Sequence, residues 1–210
     1  MKKMMLSIMG IQGCGKGTQS KRIANEFGIA HLSTGDIFRS HIEQNTDFGQ
    51  KIKKYLDEGT LVPDDFVVSL LQSEIKKNDC GFILDGFPRN VSQAKYLLKK
   101  YALSKVIFMD LKKKVAIRRI SARQRCENCD IDYSQINKPE KKDVCNKCGG
   151  VLQRRADDEP DAIKVRLEKY FVETAPLFHF FEDRNLLFKI DADQSPDVIF
   201  EQIKRELEKI

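Results

Sequence analysis

The sequence has no apolar run near the ~20 residues that a bilayer-spanning helix needs, so association with a membrane is not expected. Its start, Met1-Lys2-Lys3, is charged, but no long apolar segment or small-residue cleavage site follows. A secretory signal is therefore not expected, and the cytoplasm is the default compartment. Histidine is scarce: His31, His41 and His179 are the only three. None lies in a Gly-x-Ser-x-Gly turn or an H-E-x-x-H helix, which leaves a hydrolytic triad or a histidine-ligated zinc without support. Internal repeats and low-complexity tracts are absent, and residues 126–150 hold no cluster of aromatics on which bases could stack.

What is present suits a soluble chain with an ample core. The 210 residues fit one domain with an insertion, or one and a half domains. Charged residues make up 32% and the net charge is +6. That balance suits a polyanionic ligand but does not separate a nucleotide from a nucleic acid.

Residues 4–27 carry the first chemical signal. Met4 to Met9 reads as a buried strand, and from Thr18 the pattern becomes helical, with Ile23, Ala24 and Phe27 on one face. Between them Gly10, Gly13, Gly15 and Gly17 surround Cys14 and Lys16. Glycines let backbone N–H groups curl around an anion. A helix N-terminus adds partial positive charge, and Lys16 can reach outer phosphates. Gly10-x4-Gly15-Lys16 fits the phosphate-loop pattern, with the hydroxyl displaced by Gly17 to Thr18.

Strands are predicted at 29–32, 81–85, 106–110 and 186–190. Helices are predicted at 37–43, 48–58, 64–77, 91–101, 112–123, 161–181 (interrupted at Pro176) and 196–209, with Gly49, Gly59 and Pro63 as punctuation. Short apolar strands alternating with helices imply an α/β fold, a parallel sheet with helices on both faces. Ligands then bind at the carboxyl ends of the strands. The phosphate loop, Asp85, Arg89 and Asp110 all follow strand ends and should share one mouth of the sheet. Asp85 is placed to orient Mg²⁺ or its waters.

Arginine is the better fork for phosphate because its planar guanidinium bonds two oxygens at once. Among Arg39, Arg89, Arg119, Arg123, Arg154, Arg155 and Arg166, position after a strand–loop junction favours Arg39 and Arg89. Cys126-x2-Cys129 and Cys145-x2-Cys148, fifteen residues apart, have zinc-ribbon spacing. Four thiolates leave no position for water, so the metal would be structural. Iron also binds four thiolates. Cys80 is expected in the core, and Cys14 in the loop because a small side chain fits there.

These segments together resemble the adenylate kinase family, of the bacterial long-lid, zinc-containing kind. The resemblance covers essentially the whole chain. It rests on Gly10–Gln19, Ser33-Thr-Gly-Asp-Ile-Phe-Arg39, Asp85-Gly-Phe-Pro-Arg89 with Gln93, Arg119 and Arg123, the four cysteines, and Arg155-Ala-Asp-Asp158 followed by Arg166. It implies a five-stranded parallel sheet of the nucleoside monophosphate kinase fold. The core would be 1–32, 63–123 and 159–210, with an AMP-binding insert at 33–62 and a zinc-containing lid at 124–158. It further implies that Gly13, Cys14, Gly15, Lys16, Gly17 and Thr18 wrap the phosphates of ATP. Asp132 and Tyr133 in the lid and Gln194 near the adenine would complete that subsite. Thr34, Arg39, Gly86, Phe87, Pro88, Arg89 and Gln93 would hold AMP, with the backbone of Thr60, Leu61 and Val62 against its base. Arg123, Arg155 and Arg166 would surround the transferred phosphoryl, with Lys16, Arg89 and Asp85 completing the catalytic set. Asp132 departs from the usual apolar or threonine position. A cis peptide between Phe87 and Pro88 is also implied. The expected partners are ATP with Mg²⁺ and AMP or ADP, acting on a monomer, with neither nucleic acid nor membrane involved.

Two rival functions fit less well. A sister kinase for UMP or CMP shares the fold, but Thr34 and the long lid resemble the adenylate enzyme. A zinc-ribbon nucleic-acid-binding ATPase fits the charge but lacks the stacking aromatics.

Overall fold

Apolar runs that are buried on both faces belong in the middle of a parallel sheet, and that is where they lie. The computed structural model describes residues 3–58, 60–129, 131–134, 136–155 and 158–210. The predicted break at Gly59 and the Ala156-Asp157 pair of the Arg155–Asp158 motif lie outside the described residues. In chain order the strands are β1 (Met4–Gly10), β2 (Ala30–Ser33), β3 (Gly81–Asp85), β4 (Lys105–Asp110), β5 (Gln124–Cys126), β6 (Asp132–Tyr133), β7 (Leu152–Gln153) and β8 (Leu187–Asp191). Five of them form a sheet in the order β2-β3-β1-β4-β8, with every pair parallel. The other three form a small antiparallel sheet, β6-β5-β7.

Helices connect and cover these strands: α1 (Lys16–Phe27), α2 (Thr34–Glu43), α3 (Asp47–Asp57), α4 (Asp64–Lys76), α5 (Val91–Lys100), α6 (Lys113–Ser121), α7 (Pro160–Lys169), α8 (Leu177–Glu182) and α9 (Pro196–Leu207). The two-residue period of the strands sorts their side chains into two cores. Leu6, Ile8, Ile83 and Ile107 face Ile23 of α1 and Ile203 of α9. Met9, Phe82, Leu84 and Phe108 face Leu97 of α5 and Phe181 of α8. No helix among the described residues is long and apolar enough to cross a membrane.

Between β2 and β3, α2 and α3 form a helix pair. Ser33 caps α2 by accepting from the Asp36 amide, and Thr46 caps α3 by accepting from the Gly49 amide. The two helices approach so closely at Gly49 that a Cβ there would lie 2.1 Å from the His41 carbonyl oxygen. Only glycine allows that contact. The small sheet has its own cluster of buried side chains, Cys126, Tyr133, Cys145 and Leu152.

Three expectations are corrected. The helix predicted at 161–181 is broken well before Pro176. α7 ends at Lys169, and Tyr170–Thr174 forms a wider π turn in which the Ala175 amide bonds the Tyr170 carbonyl at 2.8 Å. Pro176 has no N–H to continue the ladder, and its ring crowds the carbonyl four residues back. The helix predicted at 112–123 ends at Ser121, because the chain turns there to enter β5. Cys80 is exposed rather than in the core, since it ends the polar loop that precedes β3. Cys14, by contrast, is 1% exposed and belongs to the core beneath its loop.

Leu6 in the central strand is completely buried. Leu6→Ala should lower the unfolding free energy by ~2–5 kcal/mol through lost transfer energy and a residual cavity. Urea denaturation checks this; a midpoint equal to that of the parent would mean that the sheet centre is not tightly packed.

Candidate active site

The carboxyl ends of β1, β2 and β3 open into a cleft of about 780 Å³. The phosphate loop forms its floor. Gly13 has φ +80°, and a Cβ there would lie 2.9 Å from the Ala116 carbonyl oxygen, so both conformation and space demand glycine. Gly15 precedes α1 with φ 97°, and no side chain caps that helix start. The first amides of α1 are therefore left for a ligand, and an anion is what they and the helix dipole favour. Lys16 folds back over the loop and donates from Nζ to the carbonyls of Gly10 at 2.7 Å and Ile11 at 3.0 Å. Asp85, at the end of β3, lies behind the loop: a Cβ on Gly17 would lie 3.4 Å from its Oδ2. His31 Nε2 is also 3.4 Å from that oxygen.

The opposite wall is the Gly86–Arg89 turn. The Phe87–Pro88 peptide is cis, as the resemblance implies. Ser7 Oγ donates to the Phe87 carbonyl at 2.8 Å. Thr34 Oγ1 donates to the carbonyls of Asp85 at 3.3 Å and Gly86 at 3.2 Å. Arg89 Nε donates to the Gly86 carbonyl at 2.8 Å. Gln93 Oε1 accepts from the Arg89 amide at 2.7 Å, while its Nε2 donates to Asp64 at 2.6 Å. Thr174, from the π turn, donates to the Arg89 carbonyl at 2.7 Å. Arg89 is thus held from three elements.

Above the loop, Arg123 places a two-pronged pair of bonds on Asp158, Nε to Oδ2 at 2.8 Å and Nη2 to Oδ1 at 2.6 Å. Arg166 Nη1 joins the same carboxylate at 3.0 Å. The Asp158 side chain is only 2% exposed. Arg155 binds both oxygens of Asp132, at 2.8 and 2.6 Å. Burial and the neighbouring Arg123 push the Arg155 pKa down to about 10, which leaves it cationic at neutral pH.

Nearly all the residues singled out in the sequence line this one cleft: the phosphate loop, Thr34, Arg39, Thr60–Val62, Asp85, Gly86, Pro88, Arg89, Gln93, Arg123, Asp132, Tyr133, Arg155, Arg166 and Gln194. Phe87 does not. Its ring is 2% exposed and packs in the core, so only its backbone can serve the turn. Tyr133 reaches the cleft wall, but its hydroxyl is turned to Cys145 Sγ at 3.4 Å and accepts from the Asn146 amide at 2.8 Å. Both carboxylate oxygens of Asp132 are engaged by arginines. Asp110, expected at the same mouth, instead pairs with Lys189 at 2.9 Å.

The four cysteines come together in the small sheet, with their sulfurs all within 4.8 Å of one another. Cys126–Cys148 and Cys129–Cys145 sulfurs are 3.4 and 3.5 Å apart. A tetrahedral zinc with ~2.3 Å bonds needs sulfurs about 3.8 Å apart, so the donor set is compatible with zinc.

Comparison with known proteins now decides the family. The profile of the adenylate kinase family matches residues 8–186. The chain belongs to the adenylate kinase family. It is 42% identical to the adenylate kinase of Bacillus licheniformis over 209 residues, 96% of each chain. It is 42% identical to that of Carboxydothermus hydrogenoformans, covering 98% of this chain and all of the relative. With the adenylate kinase of Clostridioides difficile the identity is 39%, over 95% of this chain and 96% of the relative. The chemistry of the chain is accordingly that of an adenylate kinase, a nucleoside monophosphate kinase and phosphotransferase.

Sequence reasoning passed over Ser7, Asp158 as a holder of arginines, Arg125 and Thr174. Thr174 carries a readable signal, since a threonine just ahead of a helix-breaking proline has its hydroxyl available for a neighbouring carbonyl. Thr174→Val should remove the hydroxyl's bond to the Arg89 carbonyl and lower kcat/KM for AMP by about tenfold. Steady-state kinetics at saturating ATP tests this, and parental values would show that Arg89 is held well enough without the hydroxyl.

Proposed function

We propose that ATP-Mg²⁺ lies with its phosphates on Gly13–Thr18 and its adenine toward Gln194. AMP would lie between Thr34, Arg39, Thr60–Val62 and the Gly86–Arg89 turn, with Gln93 shaping that turn by holding the Arg89 amide. The terminal phosphoryl passes from ATP to AMP, giving two ADP. One observation carries this reading. Lys16, Arg89, Arg123, Arg155 and Arg166 converge on a single cleft between the phosphate loop and that turn.

The chemistry asks little else of the protein. The attacking group is an AMP phosphate oxygen, already largely deprotonated because the second phosphate pKa is about 6. No general base is required. Phosphoryl transfer then depends on in-line placement and on compensating the charge of the moving group. Lys16 and the α1 amides act on the donor phosphates, Arg39 and Arg89 on the acceptor phosphate, and Arg123, Arg155 and Arg166 on the group in flight. Mg²⁺ arrives with ATP and neutralises charge on its phosphates, and Asp85 is placed to orient its waters. Water must be kept out, or ATP would be hydrolysed. The insert at 33–62 and the lid at 124–158 are the two covers, mounted on the core 1–32, 63–123 and 159–210.

We assign the four cysteines to a structural Zn²⁺. Cys126, Cys129, Cys145 and Cys148 fill a tetrahedral sphere, so the ion supplies local order and no reactive position. Among the described residues, the small sheet around it buries Tyr133 and Leu152 besides two of the ligands. Metal ligation must therefore contribute most of its stability.

Lys16→Ala should abolish ADP formation while the protein stays folded, since it opens no core cavity. ADP followed with ATP-Mg²⁺ and AMP, UMP, CMP or nucleic acid should appear with AMP alone. Near-parental turnover in the variant would remove the glycine loop from the ATP site, and turnover with UMP or CMP in place of AMP would reassign the acceptor.

Replacing Cys129 and Cys148 together by serine should release the metal and lower the melting temperature. Part of the turnover should persist below that temperature, because the phosphate loop and Arg89 are untouched. Metal analysis, thermal melting and ADP formation at low temperature are read together. A folded, metal-free variant with no activity would make the metal indispensable to closure or chemistry.

A further inference from the structure

We infer that Arg125 is a positioning residue that links the two covers and sets the phosphate-facing arginines Arg39 and Arg155 at the same time. The inference rests on the roles assigned to those two arginines above.

Arg125 lies in β5 directly opposite Asp132 of β6, one rung of the antiparallel pair. Opposite charges so placed support each other across strands. Arg125 Nε donates to Asp132 Oδ1 at 3.0 Å. The same carboxylate takes Arg155 through both oxygens. Arg125 also crosses to the other cover, where its Nη1 donates to Asp36 Oδ1 at 2.9 Å, 89 residues away in sequence. Asp36, in the first turn of α2, accepts from Arg39 Nη2 at 2.5 Å as well. The result is an alternating row, Arg39–Asp36–Arg125–Asp132–Arg155, that runs from insert to lid.

Electrostatics supports the row. Burial disfavours the Asp36 anion, but Arg39 and Arg125 outweigh it and hold the carboxyl below its usual range. Asp132 behaves alike, with burial opposed by Arg155 and Arg125. The Arg125 side chain is 15% exposed and that of Arg155 10%, while Asp36 and Asp132 are 36% and 33% exposed, so the row is sheltered on its arginine side and partly screened on its carboxylate side. A guanidinium offers donors on separate edges of one plane, which lets Arg125 engage two aspartates on two covers. An ammonium at the end of a lysine is a single point and cannot match both directions.

This gives the departure at Asp132 a physical reason. A bare carboxylate beside polyphosphate would be repulsive. Paired with Arg125 it becomes the fixed base on which Arg155 is set. Because Arg125 also sets the Asp36 that holds Arg39, the acceptor-side and transfer-side arginines are aligned when lid and insert meet. Loss of Arg125 should therefore be felt through both nucleotides, whereas loss of a contact to one nucleotide is felt through that one.

Arg125→Met keeps the aliphatic stem and removes the charge. Its kcat/KM should fall about tenfold for AMP and for ATP alike, measured below its melting temperature. Asp36→Asn should give a similar fall. The double variant should fall by less than the product of the two single losses, because both changes cut the Arg125–Asp36 link. Arg125→Lys should lie between parent and Arg125→Met, and it carries the comparison with Asp36→Asn if Arg125→Met does not fold. Arg155→Lys is measured alongside. Parental kcat/KM in folded Arg125→Met, a loss confined to one nucleotide, or losses that multiply in the double variant overturn the proposal. If Arg155→Lys is impaired in that case, only the role of Arg125 falls. If Arg155→Lys is also parental, the assignment of Arg155 to the transferred phosphoryl falls with it.

Discussion

Concentrating cations around one cleft is the constraint on which the rest of the structure depends. Five or more guanidinium and ammonium groups attract a polyphosphate, yet without it they repel one another. Two unit charges 4 Å apart interact by roughly 4 kcal/mol near a protein surface. The structure meets this by setting a carboxylate between neighbouring cations. Asp158 separates Arg123 from Arg166, and Asp132 and Asp36 stand between further arginines. A buried carboxylate shared by two arginines is solvated by them, and it fixes their planes at the same time. The arginines are therefore preorganised for a dianionic group rather than splayed into water, which suits catalysis that works through electrostatic placement.

That placement depends on the sheet. Parallel strands all point their carboxyl ends the same way, so the loops after β1, β2 and β3 meet at one edge. The register aligns Ile8 with Asp85 and Ser33 with Asp85. It thereby brings the phosphate loop, the start of α2 and the Asp85–Arg89 turn around one cleft. The core residues of the two faces make this edge rigid. Among the described residues, the small sheet has a cluster of four buried side chains, separate from the two large cores.

The π turn at Tyr170–Thr174 shows how a local irregularity serves the site. A helix running straight to Pro176 would have an unpaired carbonyl and a clash at that proline. The wider turn absorbs both. It leaves Tyr170 buried in one core and carries Thr174 to the Arg89 carbonyl. Such turns recur at functional sites for this reason. The proline signals that the helix must be interrupted, but neither the place nor the form of the interruption follows from it.

Local sequence alone determined the phosphate loop, the strand–helix alternation, the four-cysteine spacing and the candidacy of Arg39 and Arg89. Each of these is a short-range pattern whose chemistry is contained within a few residues. The meeting of Lys16 and Arg89 was read from their places after strand ends, and that of Arg123, Arg155 and Arg166 with them was implied by family likeness; the order of strands came only from the structure. Tertiary structure alone decided what the side chains do with one another. It turned Phe87 into the core, the Tyr133 hydroxyl toward Cys145 and Cys80 outward. It gave Asp132 to Arg125 and Arg155. Arg125 looks like any other arginine in a basic stretch, and only strand register puts it opposite Asp132 and within reach of Asp36. The one clue in the chain is Asp132 itself, a carboxylate where the family resemblance implies an apolar residue or threonine beside ATP, and such a group requires a cation. Long-range pairing of charges has no local signature, because its energy depends on burial and distance, and both are set only by the tertiary fold.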